Sequence, residues 1–368
     1  MSLSPRSELS KISICPHGGL PYAELAARGL KPEEVLDFSV NTNPFPPPPG
    51  VKEVLSRVAV ERYPDPESTE LRLHLAERLG VAPENIIAGN GAVEILRHIA
   101  LAYFGPGDGV LILEPTFGEY RLSVQIAGAR VLEYRAPEKD GFAIDTEEVV
   151  SLIRKHRPRG VFICNPNNPT GQYLSRREIE KVVDALGEGL LILDEAFIAF
   201  VAEGWSALEL VGGGRVVLVR SLTKDFALAG LRLGYAVAEE EVIQNLRRLS
   251  LPWSVNVVAQ AAGVAALEDG DYLERCLSQI MEARGFLVRE LGLMGFSPVP
   301  SKTHFFLLKV GDAGRLRRAL LKRGILVRDC ASFGLPEYLR IAPRTLPECR
   351  RLITTVHELK QKGELDDI

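Results

Sequence analysis

Four short stretches of this sequence carry side chains whose types and spacing could do chemistry together. In Ser221-Leu-Thr-Lys224-Asp-Phe-Ala-Leu-Ala-Gly230-Leu-Arg232-Leu-Gly234-Tyr235, Lys224 stands just after two hydroxyl residues and eight positions before an arginine. A lysine amine can form a Schiff base with a carbonyl, and the hydroxyls, Arg232 and the glycines suit a phosphate close by. Asp194 ends the apolar run Leu190-Leu-Ile-Leu-Asp194, where a buried carboxylate without a partner would be costly, so a cation is expected beside it. Asn165-Pro-Asn-Asn168-Pro-Thr-Gly171 fixes asparagines between prolines in a rigid turn. Gly89-Asn90-Gly91-Ala92 precedes a helical pattern, and the N-terminus of a helix offers free N–H groups to an anion. Each stretch alone is common in proteins with no such chemistry. Together they supply an amine for a Schiff base, a carboxylate for a protonated ring nitrogen, an asparagine for a ring hydroxyl and donors for a phosphate.

The elements around these stretches explain how they could meet. Short β-type apolar runs at 85–89, 109–113, 130–134, 160–164, 189–193, 215–220 and 234–237 alternate with helical patterns, which predicts a mostly parallel sheet covered by helices. The candidate residues fall at the ends of these runs, where open α/β sheets bind ligands. Residues 255–294 read as nearly continuous helix. Strand patterns at 303–310, 324–330 and 338–341, with helices at 314–323 and 347–362, predict a compact α+β unit. We therefore divide the chain into an extended N-terminal arm (1–50) with little structure of its own, which ends in a proline cluster and belongs with the small unit, a large α/β domain (51–265) and a small domain (266–368).

Composition narrows the function. With 44 basic and 48 acidic residues the net charge is −4, without a long block of one sign, so a nucleic-acid surface is not expected and a small-molecule partner is. No signal peptide or run of membrane-spanning length is apparent, which predicts a soluble cytoplasmic protein. Five scattered cysteines and six dispersed histidines give neither a disulfide framework nor metal-ligand spacing, so no metal site is expected.

The donor set matches pyridoxal 5′-phosphate. Over essentially its whole length the chain resembles the fold-type I pyridoxal-phosphate enzymes, the aspartate aminotransferase superfamily. The resemblance implies that Lys224 carries the Schiff base and moves the substrate proton, that Asp194 pairs with the pyridinium nitrogen and that Asn168 hydrogen-bonds the ring 3′ oxygen. It gives Ser221, Arg232, Gly91 and Ala92 to the cofactor phosphate, and it makes Phe117, in Glu114-Pro-Thr-Phe117-Gly-Glu-Tyr120, the aromatic ring stacked on the cofactor. Tyr63, in Arg62-Tyr63-Pro-Asp65, matches a tyrosine that reaches the neighbouring subunit's cofactor phosphate, implying a homodimer with shared active sites. Arg340, in Tyr338-Leu-Arg340-Ile-Ala-Pro-Arg344, matches the arginine that clamps the substrate α-carboxylate in a bidentate fork. Phe197 stands where relatives often carry a tyrosine that assists at the 3′ oxygen, so one donor is missing.

Within that superfamily the chain is most similar to threonine-phosphate decarboxylases of cobalamin biosynthesis and to histidinol-phosphate aminotransferases, which act on phosphorylated amines. His17-Gly18-Gly19, the arm segment Asp37-Phe-Ser-Val-Asn-Thr-Asn43-Pro44, Gly89-Asn90-Gly91-Ala92, Asp194-Glu-Ala-Phe197 and the second arginine, Arg344, are decarboxylase-like. Ala229 and Ala199, where decarboxylase relatives often have proline and aspartate, are not. The expectation is decarboxylation of L-threonine O-3-phosphate, with transamination of histidinol phosphate against 2-oxoglutarate as the alternative. His17, Gly18, Asn43, Arg340 and Arg344 are the expected substrate residues. The two outcomes differ in which Cα bond stands perpendicular to the ring, a torsion that no sequence displays. A non-catalytic regulatory protein is a third possibility, but regulatory members carry a DNA-binding domain for which the arm leaves no room.

Overall fold

The computed structural model describes residue 12 and residues 15–365. The first eight residues, on which the expectation of no signal peptide rests, lie outside the described residues, as does most of the beginning of the arm. A seven-stranded sheet forms the centre of the large unit. Its strands run in the order Ile86–Asn90, Leu233–Val237, Val216–Ser221, Leu190–Asp194, Gly160–Cys164, Gly109–Glu114 and Arg130–Arg135. All neighbours are parallel except the two pairings made by Leu233–Val237. The seven strands lie within a residue or two of the expected positions.

These strands read as unbroken apolar runs because both faces are covered. Leu111, Leu113, Val161, Ile163, Leu191 and Leu193 enter the core on one face. Val110, Ile112, Phe162, Cys164, Leu190 and Ile192 enter the core on the other. The parallel strands deliver Asn165, Asp194 and Ser221 to one edge. Since Leu233–Val237 runs the opposite way, with Gly234 opposite Ser221 and Leu233 opposite Asn90, Arg232 enters the sheet at that same edge.

The C-terminal unit holds a four-stranded antiparallel sheet in the order Arg328–Asp329, Tyr338–Ile341, Phe306–Lys309 and Ser297–Pro298. Helices Tyr272–Leu293, Ala313–Leu321 and Leu346–Gln361 bury Leu287, Leu320 and Leu352 with Phe306 and Leu339 in a separate core that also takes Phe38 of the arm. Three features depart from the expectation. The helix over 255–294 is two helices, Val257–Glu268 and Tyr272–Leu293. The break is Asp269-Gly270-Asp271, residues of low helix propensity, and Asp269 instead receives both hydrogen bonds of Arg275 at 2.8 and 2.7 Å. The strand over 324–330 divides at Val327: Ile325–Leu326 pairs in parallel with Leu36–Asp37 of the arm, and Arg328–Asp329 pairs with Tyr338–Ile341. The arm, expected to have little structure of its own, also forms the helix Tyr22–Ala27. Pro49 begins the helix Pro49–Leu55, where its missing N–H costs nothing. Among the described residues no helix is long and apolar enough to cross a membrane.

Candidate active site

A cavity of about 420 Å³ opens at the strand-end edge, between the large unit, the arm and the C-terminal unit. Most of the predicted residues line it: His17, Gly18, Gly91, Ala92, Phe117, Asn168, Asp194, Ser221, Lys224, Arg232 and Arg340. Tyr63, Asn43 and Arg344 do not.

Lys224 sits in the short helix Leu222–Asp225 that follows the strand Val216–Ser221. The Ser221 hydroxyl caps that helix, accepting from Thr223 N at 3.2 Å and lying 2.6 Å from the Thr223 hydroxyl. Burial, with Arg232 and Arg340 close by, pulls the Lys224 amine down from its ordinary 10.5 to about 8, against the attraction of Asp194. A useful fraction is therefore neutral, and so nucleophilic, near neutral pH. Asp194 is 4% exposed. It accepts from the Tyr120 hydroxyl at 2.7 Å through Oδ2 and from Ala196 N at 2.9 Å through Oδ1. Burial pushes its carboxyl up, and the Tyr120 hydrogen bond opposes this. A cation placed against Asp194 would favour its ionised form.

The anion cradle is backbone and guanidinium. Gly91, at φ +77°, precedes the helix Ala92–Tyr103, and a Cβ on it would stand 2.7 Å from Arg232 Nη2. A Cβ on Gly234 would stand 2.5 Å from Ala92 N. Both glycines are thus required by close approach: they let the arginine and the free N–H groups of a helix start converge beside the Ser221 and Thr223 hydroxyls. Phe117 meets Tyr120 edge-on with centroids 5.7 Å apart and stands 5.7 Å from His17.

Arg340 comes from the C-terminal sheet and is 5% exposed. Its Nη2 donates to Ser39 O at 2.6 Å and its Nη1 to Asn168 Oδ1, while the buried Nε has no protein partner. Burial lowers its pKa to about 10. A Cβ on Gly18 would lie 2.6 Å from Ser39 O, so the arm also passes here in close contact. Asn43 is buried; its backbone N–H donates to Lys224 O at 2.8 Å and its Nδ2 to Asp225 O at 3.0 Å, fastening the arm beneath the lysine rather than facing the cavity. Arg344 is paired with Glu348 at 3.0 Å and donates to Asp37 O at 3.4 Å. The Tyr63 ring is 78% exposed and stacks on Trp253 at 4.4 Å.

Four further residues belong to the site. Tyr120 holds Asp194; it lies three positions after Phe117, and the turn closed by Tyr120 N on Phe117 O at 3.2 Å at the start of the helix Glu119–Ile126 presents both, a spacing visible in the sequence. Arg328 lines the cavity and ties down the arm, donating to His17 O at 2.9 Å and to Pro16 O and Ser332 Oγ at 2.7 Å. Asn41 lines the cavity with both amide atoms buried and without a protein partner. His17 Nε2 lies 3.0 Å from Glu119 Oε1, whose other oxygen accepts from Arg97 at 3.1 Å, so Glu119 anchors the arm. No sequence spacing marks Arg328, Asn41 or Glu119.

Among the described residues lining the cavity, Arg232, Arg328 and Arg340 are fixed cations beside the titratable Lys224 amine, and Asp194 is the one carboxylate. The site is built for a ligand with more than one anionic group and a cationic ring. The glycine cradle, the low-pKa amine and the buried carboxylate in need of a cation fit pyridoxal phosphate.

Comparison with known proteins agrees. The family model for aminotransferase class I and II matches residues 33–356. The chain is 36% identical to a histidinol-phosphate aminotransferase of Thermoanaerobacter sp. (strain X514) over 331 residues, 88% of this chain and 92% of that protein. It is 34% identical to the histidinol-phosphate aminotransferase of Moorella thermoacetica over 364 residues, 96% of this chain and 93% of that one. The crystal structure of histidinol-phosphate aminotransferase from Sinorhizobium meliloti in complex with pyridoxal-5′-phosphate superposes with a TM-score of 0.86 at 25% identity, covering 97% of each chain. With a fold, a cofactor pocket and a family model that coincide over most of its length, the chain belongs to the aminotransferase class I and II family and is a pyridoxal-phosphate-dependent enzyme of fold type I.

Proposed function

We propose that the protein is an aminotransferase that takes the amino group of histidinol phosphate, or a close amino-phosphate relative, and passes it to a 2-oxo acid. The observation that carries this reading is the cavity's excess of guanidinium groups beyond those at the cofactor cradle: Arg340 and Arg328 face a common space that Lys224 also lines. Their charges suit the phosphate of the first substrate and the carboxylates of the second in turn. The similarity to histidinol-phosphate aminotransferases supports it. This reverses the preference for threonine-phosphate decarboxylation drawn from motif resemblance, and one of its supports, Arg344, is committed to Glu348 and the Asp37 carbonyl.

In this reading Arg232, the Ser221 hydroxyl and the N–H groups at Gly91 and Ala92 hold the cofactor phosphate. Asp194 holds the proton on the ring nitrogen, Asn168 faces the ring oxygen and Phe117 covers one ring face. Bound pyridoxal phosphate supplies a carbonyl carbon that takes up an amine and a conjugated ring that draws electrons from the neighbouring carbon. Lys224, released as a free amine, accepts the proton from the substrate Cα and returns it one position away. Arg340 orients the 2-oxo acid, and the amino acid formed from it, through the carboxylate beside the reacting carbon, and the arm segment 16–18 excludes water. We also propose a homodimer, in which the exposed Tyr63 ring reaches the partner's cofactor site; equilibrium sedimentation of the protein at twice the monomer mass is the expected result.

The test offers histidinol phosphate with 2-oxoglutarate, and separately O-phosphothreonine. Glutamate formation with the first and no carbon dioxide from the second is expected. Carbon dioxide from O-phosphothreonine without glutamate from histidinol phosphate would return the assignment to the decarboxylase.

The Lys224 amine gives a pH signature. Covalent uptake of cofactor by the apoprotein needs the neutral amine and is expected to speed up with rising pH through an inflection near 8, followed by stopped-flow absorbance. Stability of the apoprotein should follow the same group. The folded amine titrates near 8 and the unfolded one near 10.5, so the cost of burying the charge is complete below pH 8 and disappears as pH rises towards 10.5.

A further inference from the structure

Cys15, His17 and Glu119 bring a thiol, an imidazole and a carboxylate within 4.8 Å of one another at the mouth of the cavity. Two come from the arm in Cys-x-His spacing and the third begins the helix Glu119–Ile126 of the large unit, so the cluster joins two segments that are about 100 residues apart. Ligands of a tetrahedral zinc ion, bound at about 2.0–2.3 Å, stand roughly 3.3–3.8 Å from one another. His17 Nε2 and Glu119 Oε1 are already 3.0 Å apart, so a small movement of the arm would complete the set. The surroundings are those of a supported carboxylate ligand. Glu119 is 4% exposed, and Arg97 fixes its second oxygen from behind at 3.1 Å, leaving Oε1 turned to the arm. Arg328 holds the arm in place through the carbonyls of Pro16 and His17, which leaves the His17 ring and the Cys15 sulfur free of that contact. Gly118 makes room: a Cβ there would stand 2.4 Å from Cys15 Sγ.

We propose that Cys15, His17 and Glu119 form a zinc-binding clasp that fastens the arm across the mouth of the cavity and slows turnover reversibly. A sulfur, nitrogen and carboxylate set selects zinc over magnesium or calcium, and the fourth position, facing the cavity, is left to water or a substrate anion. Zinc(II) enters as the Cys15 thiol gives up its proton to solvent, so binding raises the charge at the entrance by one and releases one proton. Calcium and magnesium, hard ions that take oxygen ligands and do not bind thiolate, serve as controls.

The experiment titrates zinc into metal-free holoenzyme, in buffer without thiol or phosphate, against a chromophoric chelator. One zinc per protomer is expected, with affinity at least tenfold weaker in Cys15→Ser and in Glu119→Gln, both checked for unchanged cofactor absorbance. Cobalt in place of zinc should give the intense visible bands of a tetrahedral thiolate site in the wild type and lose them in Cys15→Ser. Absence of stoichiometric binding to the wild type, or equal binding by Cys15→Ser, would overturn the site. Initial rates should fall on adding zinc and recover with chelator, and the fall should be at least tenfold less sensitive to zinc in Cys15→Ser; stoichiometric binding that leaves the rate unchanged would overturn the closure. The binding readouts do not depend on which amino-phosphate the enzyme uses.

Discussion

Lys224→Ala is expected to lose the borohydride-reducible attachment of the cofactor and to lower kcat by about 10⁴-fold. The size follows from two roles lost together, since the same amine anchors the cofactor and carries the substrate proton. The structure separates these roles from simple packing. The Lys224 side chain is buried among Arg232, Arg340 and Asp194, and its main-chain carbonyl is held by Asn43 N at 2.8 Å, a bond the substitution leaves in place. The variant should therefore fold and still bind cofactor non-covalently through the Gly91 and Arg232 cradle. Absorbance before and after borohydride, with mass spectrometry of the reduced protein, checks the first part. A reducible adduct in Lys224→Ala would place the nucleophile elsewhere.

Arg340→Lys is expected to lower kcat/KM for carboxylate-bearing substrates by about 10²–10³-fold, chiefly through KM, because a lysine cannot reproduce the two-pronged hydrogen bonding of a guanidinium. In the structure the fork already spans two partners, Ser39 O on the arm and Asn168 Oδ1 at the end of a central strand. Losing it loosens both. The effect should discriminate between substrates: the half-reaction with glutamate, which has an α-carboxylate, should suffer more than the half-reaction with histidinol phosphate, which has none. Single-turnover measurements of each half-reaction from the absorbance of the bound cofactor make the comparison. Equal losses in both would mean that Arg340 acts by positioning Asn168 and the arm rather than by binding carboxylate.

The sheet and the cofactor pocket were legible in the sequence because each predicted residue sits where a regular element forces it to sit. Asp194 and Ser221 end buried parallel strands, and Gly91 begins a helix, so strand order alone converges them. Lys224 follows by one short turn. The residues that escaped prediction are held by tertiary contacts without a local pattern. Arg328 was read as part of one strand over 324–330, and its entry into the cavity depends on the division at Val327, which arises because two different partners, Leu36–Asp37 and Tyr338–Ile341, compete for that segment. Glu119 and Cys15 meet only because the arm folds back over the large unit. Arg344 illustrates the converse: its spacing from Arg340 suggested a second anion ligand, whereas Glu348, four residues further on, sits within one helical turn and takes the charge. The preference for decarboxylation rested on resemblance in motifs from the arm to Arg344, whereas the similarity to histidinol-phosphate aminotransferases over most of the chain favours transamination.

The pairing of Leu36–Asp37 with Ile325–Leu326 also bears on biosynthesis. The arm strand is synthesised before its partner, which is made roughly 290 residues later; at about 5–20 residues per second this is a wait on the order of 15–60 s. The large sheet, whose strands all lie between Ile86 and Val237, can close during that interval, while Phe38, destined for the C-terminal core, stays uncovered until the end. A nascent chain of this protein therefore carries the Leu36–Asp37 strand unpaired and Phe38 uncovered until the C-terminal unit has been made.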